Sequence, residues 1–266
     1  MGRLIGYMAN RKDRLGDVLD EEHEAIAPPP DFRPDAWGIG FYQGSEVLHK
    51  KRPKLDDGPI DWEKVARGVR SDAVLVHFRE ATVGDFRPDN THPFRKRQWL
   101  FGHTGTIRGF EAVRSSLVES LPDFLQRNIS GSTDSEHAFG VLLSFLHDGG
   151  QLDHPEPNPA VVLGAIRSTV TLIDRLCAEV GAPEPELNLM LTNGRQLFAL
   201  RRGTQLFYVQ RNALPSQSVP VKGAGAFRYV LLSSNQADEL PRGWAELENS
   251  SILVVDRNLD VTIQAL

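Results

Sequence analysis

Hydrophobic residues divide the chain into an opening set of strands, a central helical region and a closing set of strands. Residues 3–8 form a short apolar run, and residues 37–50 form two runs joined by Gln43-Gly44-Ser45, as in a hairpin. Residues 74–78 are almost continuously apolar, which is typical of a strand buried on both faces. A similar run at 99–101 ends in Gly102-His103-Thr104-Gly105.

The central region predicts two helices. Thr133 and Glu136 have the spacing of a capping box, and they open a helix that runs to Leu146. Asn158 is the predicted N-cap of the second helix, with Pro159 at its first position. The predicted apolar stripe of that helix comprises Ile166, Val170, Ile173, Cys177 and Val180.

The last eighty residues return to strand patterns, beginning with two runs around an Asn193-Gly194 turn signal. Strands clustered in two groups, with helices between them, favour an α+β layer architecture over an alternating parallel sheet. Because no change of composition divides the sequence, we expect residues 1–266 to form a single domain.

Composition limits the classes of function. The chain has 266 residues, of which 40% are hydrophobic and 24% charged, as in a globular protein. Its net charge of −5 makes nucleic acid a poor candidate partner. A single cysteine excludes an intrachain disulfide and a multi-cysteine zinc site. No apolar run suits a membrane span or a signal peptide, so we expect no membrane partner and a cytoplasmic location.

Cofactor and metal motifs are weak. The glycines at 38 and 40 lack the third glycine and the helix of a dinucleotide site, and no other cofactor motif is present, so no cofactor is expected. The spacings between His77, His92, His103 and His137 match no standard ligand pattern. We therefore expect no metal site and interpret these histidines as structural.

Polar residues follow two of the buried runs. Arg79 comes directly after residues 74–78, where a guanidinium suits bidentate capture of a carboxylate, although a surface ion pair is an equal alternative. Gly105 follows the second run and allows a turn whose backbone N–H faces an oxyanion. Asp134 lies in the first turn of a capped helix, where its charge also favours the helix dipole.

Taken together, six segments resemble the class II glutamine amidotransferases, N-terminal-nucleophile hydrolases that split the side-chain amide of glutamine. The segments follow the family's order over the first 145 residues or so, at residues 3–9, 35–42, 77–84, 90–94, 99–107 and 131–139. Residues 188–201 and 231–240 are similar to compact, stand-alone bacterial members. The resemblance implies a four-layer αββα sandwich, with two mainly antiparallel sheets between helical layers.

The resemblance also implies roles for individual residues. Arg79 would hold the α-carboxylate of a glutamine or γ-glutamyl substrate, and Asp134 would receive its α-ammonium group. Thr82 and His92 would line the same pocket, and Gly105 would offer a backbone donor to the oxyanion. The implied partner is therefore a small molecule with a free amino-acid end.

Two positions depart from the family pattern. Members begin Met-Cys, and the exposed cysteine attacks the amide, whereas this chain has Gly2, which has no side chain to attack with. Thr104 replaces the asparagine whose amide completes the family's oxyanion hole, and loss of one such donor typically costs about 100–1000-fold in rate. We expect the chain as written not to perform the covalent chemistry.

Three hypotheses follow, and the sequence leaves open whether the chain is an enzyme. In the first, the natural protein is an amidohydrolase and Gly2 is an introduced change. In the second, the protein is a pseudoenzyme that binds a γ-glutamyl ligand. In the third, it is a scaffold that kept only the fold. An ammonia-accepting protein partner also stays open.

Overall fold

The computed structural model describes residues 2–26, 32, 34–52, 62–80, 85, 87–215, 226–234 and 240–266, and Thr82 lies outside them. The strands among these residues are β1 (Arg3–Ala9), β2 (Ala36–Gln43), β3 (Glu46–Arg52), β4 (Ala73–Arg79), β5 (Phe94–Lys96), β6 (Trp99–Thr106), β7 (Glu186–Thr192), β8 (Leu197–Arg201), β9 (Phe207–Arg211), β10 (Tyr229–Ser233), β11 (Ala245–Glu246), β12 (Ser251–Val255) and β13 (Val261–Ala265). The helices are α1 (Leu15–Glu21), α2 (His23–Ile26), α3 (Trp62–Arg67), α4 (Phe110–Glu119), α5 (Asp123–Gln126), α6 (Asp134–Asp148) and α7 (Pro159–Glu179).

The strands form two antiparallel sheets. One has seven strands in the order β11-β9-β10-β1-β4-β2-β3, and the other has six in the order β13-β12-β8-β7-β6-β5. The first sheet contains strands from both ends of the chain, because β1 pairs with β4 on one side and with β10 on the other. The predicted hairpin at residues 37–50 is confirmed as β2 and β3.

Three apolar clusters separate four layers. One cluster lies between the two sheets and includes Leu4 of β1 and Met190 of β7. A second covers the outer face of the seven-stranded sheet with α1, α2 and α3, and the third covers the six-stranded sheet with α4, α5, α6 and α7. The αββα sandwich implied by the resemblance is therefore confirmed. The single-domain interpretation of residues 1–266 stays a prediction.

The continuous hydrophobicity of β1 follows from this layering. Every residue of β1 is buried. Side chains alternate across a strand, so Ile5 and Tyr7 enter the cluster beneath α1, whereas Leu4 and Met8 enter the cluster between the sheets. A strand with both faces covered has no polar side, and this fixes the start of the chain inside the protein.

The predicted helix caps are confirmed, with one difference. Thr133 accepts a hydrogen bond from the backbone N–H of Glu136, and Asn158 accepts one from Ala160. The carboxylate of Glu136 accepts from the backbone N–H groups of Ser130 and Gly131 instead of the cap residue. The Glu136 side chain therefore stabilises the loop that precedes the helix and does not bond back to the cap residue.

The prediction that Val180 belongs to the apolar stripe of α7 is wrong. Val180 follows the last helical residue and is 47% exposed, because the chain leaves the helix there through Gly181. Ile166, Val170, Ile173 and Cys177 are buried as expected. Within the described ranges, α7 and the other helices all lack the length and continuous hydrophobicity that a membrane crossing requires.

The buried carboxylate of Glu22 connects an early segment of the chain to three residues close to its end. Glu22 is 3% exposed and accepts hydrogen bonds from Arg211 Nε at 3.0 Å, from the Tyr229 hydroxyl at 2.6 Å and from Trp244 Nε1 at 2.8 Å. The contact with Arg211 is also an ion pair. A buried charge is tolerated only where it is paired and hydrogen-bonded, as Glu22 is here.

We predict that Glu22→Ala lowers the free energy of unfolding by about 3–5 kcal/mol, because it removes the acceptor of the buried Tyr229 and Trp244 donors and the counter-ion of Arg211, whose side chain is 22% exposed. Urea denaturation measures this change. The exposed Glu24 supplies the control, since Glu24→Ala should alter stability by no more than about 0.5 kcal/mol. A loss below about 1 kcal/mol for Glu22→Ala would show that the network contributes little.

Candidate functional site

A small cavity lies where the start of β1, the end of β4, the end of β6 and the first turn of α6 meet. Its volume is about 40 Å³, which is room for about three water molecules or one carboxylate group. Six of the seven predicted site residues line it: Gly2, Arg79, His92, Thr104, Gly105 and Asp134. The structure also places there five residues to which the sequence analysis gave no role in this pocket: His77, Glu80, His103, Thr133 and Ser135.

Gly2 and Thr104 are hydrogen-bonded to each other. The Thr104 hydroxyl donates to the carbonyl oxygen of Gly2 at 2.8 Å, which ties the start of the chain to β6 in the other sheet. A hydroxyl has one hydrogen to donate. In this arrangement Thr104 therefore holds the chain end and has no hydrogen left for an oxyanion.

The surroundings of Gly2 leave no room for a side chain. A Cβ atom built there would lie 2.7 Å from the backbone carbonyl oxygen of Phe78 and 3.3 Å from Nε2 of His77. The first distance is shorter than real Cβ contacts, and the obstructing atom belongs to the backbone of β4. Any larger residue at this position requires β1 or β4 to move.

Gly105 occupies a position that only glycine fits. Its φ angle is +142°, and a Cβ there would lie 2.1 Å from the carbonyl oxygen of Glu186 on the paired strand. Our expectation that His103, Thr104 and Gly105 follow the strand in a turn is wrong, because β6 continues to Thr106. The cause is pairing with β7, which extends to Thr106 opposite Glu186.

Arg79 is the last residue of β4 and is 4% exposed, so the alternative of a surface ion pair is wrong. Its Nη1 donates to the carbonyl oxygen of Asp85 at 2.9 Å. Burial lowers the pKa of Arg79, and Asp35, Asp85 and Asp134 oppose that effect. An arginine stays charged despite such a shift, so Arg79 supplies a buried positive charge to the cavity wall.

Asp134 supplies the opposite charge at the first turn of α6. Its Oδ2 accepts from the backbone N–H of Ile107 at 2.9 Å, and its Oδ1 accepts from the backbone N–H of Ser135 at 2.8 Å. The Ser135 hydroxyl oxygen lies 3.3 Å from Oδ1, and its single hydrogen is directed to His103. A carboxylate has about four acceptor positions, so at least one remains for a ligand.

His103 links α6 to β7 in the wall of the cavity. Its Nε2 lies 3.1 Å from the carbonyl oxygen of Glu186, and its Nδ1 lies 2.8 Å from the Ser135 hydroxyl. A carbonyl only accepts, so Nε2 carries a proton. These two bonds fix the ring between the sheet and the helix, and they position Ser135 beside Asp134.

His77 and His92 are buried against each other, with ring centroids 4.1 Å apart. Burial lowers the pKa of His77 to about 3 and holds that of His92 well below its usual range. Among the described residues, Nδ1 of His77 and both ring nitrogens of His92 have no hydrogen-bond partner. Buried polar atoms of this kind are normally satisfied by ligand or water.

His137, the fourth histidine considered as a metal ligand, is absent from this cavity. Its Nδ1 lies 2.8 Å from the carbonyl oxygen of Thr133, and its ring packs against Phe110. In the part of the chain that the structure describes, no group of three or more His, Cys, Asp or Glu side chains is arranged to hold a metal ion.

Solved structures share the whole architecture. A glutamine aminotransferase class-II domain protein from Silicibacter pomeroyi aligns with 99% of this chain and 98% of its own, with a TM-score of 0.64 and 21% identity. Glutamine phosphoribosylpyrophosphate amidotransferase from B. subtilis aligns with 99% of this chain and 49% of its own, with a TM-score of 0.58 and 11% identity. At these identities the likeness establishes the fold.

The fold is that of an amidotransferase-type sandwich, and sequence comparison identifies the family. The family model for "Glutamine amidotransferases class-II" matches residues 28–224, about three quarters of the chain. The chain therefore belongs to the class II glutamine amidotransferases. The family resemblance stated from the sequence is confirmed.

Curated relatives include the putative glutamine amidotransferase YafJ of Escherichia coli, which is 28% identical over 67% of this chain. The chain spans only 64% of the length of YafJ. A putative glutamine amidotransferase of Haemophilus influenzae is 28% identical over 84% of this chain and 74% of its own length. Gamma-glutamyl-hercynylcysteine sulfoxide hydrolase of Mycobacterium tuberculosis is 25% identical over 87% of this chain and 79% of its own length.

The buried histidines predict that acid destabilises the protein. An unfolded histidine binds a proton near pH 6.5, whereas folded His77 resists protonation down to about pH 3. The unfolded state therefore binds more protons in this window, and stability falls as the pH decreases through it. Each ring contributes a slope of up to about 1.4 kcal/mol per pH unit.

Urea denaturation at several pH values between about 7.5 and 4.5 tests this dependence. His92→Phe should flatten the acid limb, because it removes one of the two titrating rings. His147→Gln is the matched control for replacing a histidine, since His147 is exposed. An unaltered slope in His92→Phe would contradict the assignment.

Proposed function

We propose that this chain binds the amino-acid end of glutamine or of a γ-glutamyl compound without hydrolysing it by the family's covalent route. The observation that carries the proposal is the contact between Gly2 and Thr104. The position of the family's nucleophile holds a residue without a side chain, and the neighbouring oxyanion position is a hydroxyl that donates to that residue's carbonyl oxygen. Gly2 and Thr104 thus form one hydrogen-bonded arrangement, which supports the pseudoenzyme hypothesis.

The charges of the cavity support the binding part of the proposal. Arg79 would pair with the ligand α-carboxylate, since a guanidinium donates two parallel hydrogen bonds to such a group. Asp134 would accept from the α-ammonium through its remaining acceptor position. The unsatisfied ring nitrogens of His92 are available to the ligand or to water next to it. Thr82, predicted for the same pocket, lies outside the described residues.

The names of relatives support the class of ligand. One relative is named for hydrolysis of a gamma-glutamyl compound and others as glutamine amidotransferases. A γ-glutamyl amide and glutamine share the same α-amino-acid end, so the proposed contacts of Arg79 and Asp134 serve either. The implied partner remains a small molecule.

We predict saturable binding of L-glutamine or γ-glutamyl peptides, measured by isothermal titration calorimetry. Arg79→Met should weaken binding by about tenfold or more, because a charge-assisted bidentate contact is lost. Arg70→Met, at an exposed position preceding β4, should leave the affinity unchanged. Equal affinities for the Arg79→Met and unaltered proteins, with folding of the variant verified by circular dichroism, would exclude this binding pose.

A second candidate function is hydrolysis of a γ-glutamyl amide by a natural form in which Gly2 is replaced by cysteine. The retention of Arg79, Gly105 and Asp134 around one cavity favours it. Two features oppose it: the 2.7 Å approach of a Cβ to Phe78 and the Thr104 hydroxyl bond. Because of these two features, we expect that a cysteine at position 2 is not sufficient for hydrolysis.

We predict that the protein with Gly2 releases no glutamate or ammonia from glutamine. Gly2→Cys alone should also release none above background, with removal of Met1 verified by mass spectrometry. Adding Thr104→Asn to Gly2→Cys should raise any rate by about 100-fold or more, because a carboxamide donor returns to the oxyanion position. Rapid hydrolysis by Gly2→Cys alone would overturn the binding-only proposal and establish the amidohydrolase.

A further inference from the structure

A second and much larger cavity lies at the side of the sandwich, where the edge strands of both sheets face α5 and α6. Its volume is about 420 Å³, within the usual range for small-molecule pockets. Its walls come from β3, β5, the segment around Pro88, and the helical region from Leu125 to Leu143. None of the described residues that line it also lines the cavity at Gly2.

One wall of this side cavity is apolar. Phe94, Leu125, Phe139 and Leu143 are buried residues that line it, and partly buried Ile129 extends the same wall. Phe139 is held by stacking on Phe101, with ring centroids 4.8 Å apart. The wall is therefore rigid and suited to a compact hydrophobic group.

Basic side chains form another part of the lining. Lys51 projects from β3, with its Nζ 5.4 Å from the centroid of the Phe94 ring. His49 and Arg95 line the same cavity, and the charges of Lys51 and Arg95 lower the pKa of His49 in addition to its partial loss of hydration. Arg95 Nη1 donates to the carbonyl oxygen of Val47 at 2.6 Å, which orients its guanidinium.

Lys51 is partly buried and forms no ion pair with a described residue. Its hydrogen bond is to the carbonyl oxygen of Pro88 at 3.3 Å, and no carboxylate among the described residues lies within ion-pair distance of it. Burial lowers the pKa of Lys51 to about 8, and the more distant charges of Asp89 and Glu136 oppose that effect. Removing a cation from water without pairing it is unfavourable, so this side chain favours a bound anion.

The acidic side chains of the cavity are engaged elsewhere. Both carboxylate oxygens of Glu136 accept backbone N–H groups, from Ser130 and Gly131. Asp89 pairs with Arg87 at 3.3 Å. Lys51, His49 and Arg95 therefore face a cavity whose own carboxylates are already hydrogen-bonded or paired.

We propose that the side cavity is a second binding site, which takes a small organic carboxylate with a compact apolar body. The carboxylate lies against Lys51 in the basic part of the lining, and the apolar body packs on Phe94, Phe139 and Leu143. This site is distinct from the amino-acid site at Gly2, because the two cavities have no lining residue in common among the described residues, although Phe94 of one packs against His92 of the other.

Fluorine NMR titration of the full chain with 4-(trifluoromethyl)phenylacetate tests the proposal. We expect saturable binding, and Lys51→Met should weaken the Kd by about tenfold or more, because the charge-assisted contact is lost while the aliphatic stem remains. Lys50→Met, at the exposed neighbouring position of β3, should keep the unaltered Kd. The neutral amide of the same probe should bind about tenfold more weakly than the carboxylate.

Two further variants keep the result decisive. Ile129→Trp fills the cavity without changing its charge and should abolish binding even if Lys51→Met fails to fold. Arg79→Ala should leave the Kd of the probe unchanged, which distinguishes this site from the one at Gly2. The proposal is overturned if the probe does not saturate below about 10 mM, if Lys51→Met and the unaltered protein bind equally, or if Arg79→Ala abolishes binding.

Discussion

The insertion of β1 between β4 and β10 is the constraint on which the rest of the structure depends. It brings the beginning of the chain and a strand near its end into one sheet, and both faces of β1 are buried. Because residue 3 pairs with Phe78, Gly2 is fixed beside the end of β4 and next to Arg79. The position of Gly2 is thus set by strand pairing, and the candidate functional site is built around it.

The second constraint is the hydrogen bond from Thr104 to the Gly2 carbonyl, which connects the two sheets at this point. It couples Gly2 and Thr104, the two positions that the sequence analysis singled out. The Phe78 carbonyl oxygen occupies the space that a side chain at Gly2 would need. The Thr104 side chain is long enough for its hydroxyl to reach the Gly2 carbonyl oxygen. The cavity retains opposite charges at Arg79 and Asp134, so the arrangement is consistent with recognition of a zwitterionic group.

The two cavities differ in a way that reflects their positions. The cavity at Gly2 is enclosed by strand ends and a helix start, where backbone groups are plentiful and little volume remains. The side cavity lies at the margin of the sandwich, between the edge strands β3 and β5 and residues of α5 and α6. Charged residues of the edge strands, such as Lys51 and Arg95, line this opening beside apolar residues of the core.

The sequence by itself determined many of the local elements, the two groups of strands and the family, because hydrophobic periodicity, caps and turn residues act over short distances. It missed α1, α2, α4 and α5, although Phe110, Val113 and Leu117 of α4 have helical spacing. It placed Gly105 beyond the strand, because pairing with β7 is a contact between residues far apart in the chain. Only the tertiary structure decided that Thr104 donates to Gly2, that His77 and His92 are buried in contact, and that Lys51 forms no ion pair with any carboxylate among the described residues. These properties depend on distances between separate strands, which no single segment encodes.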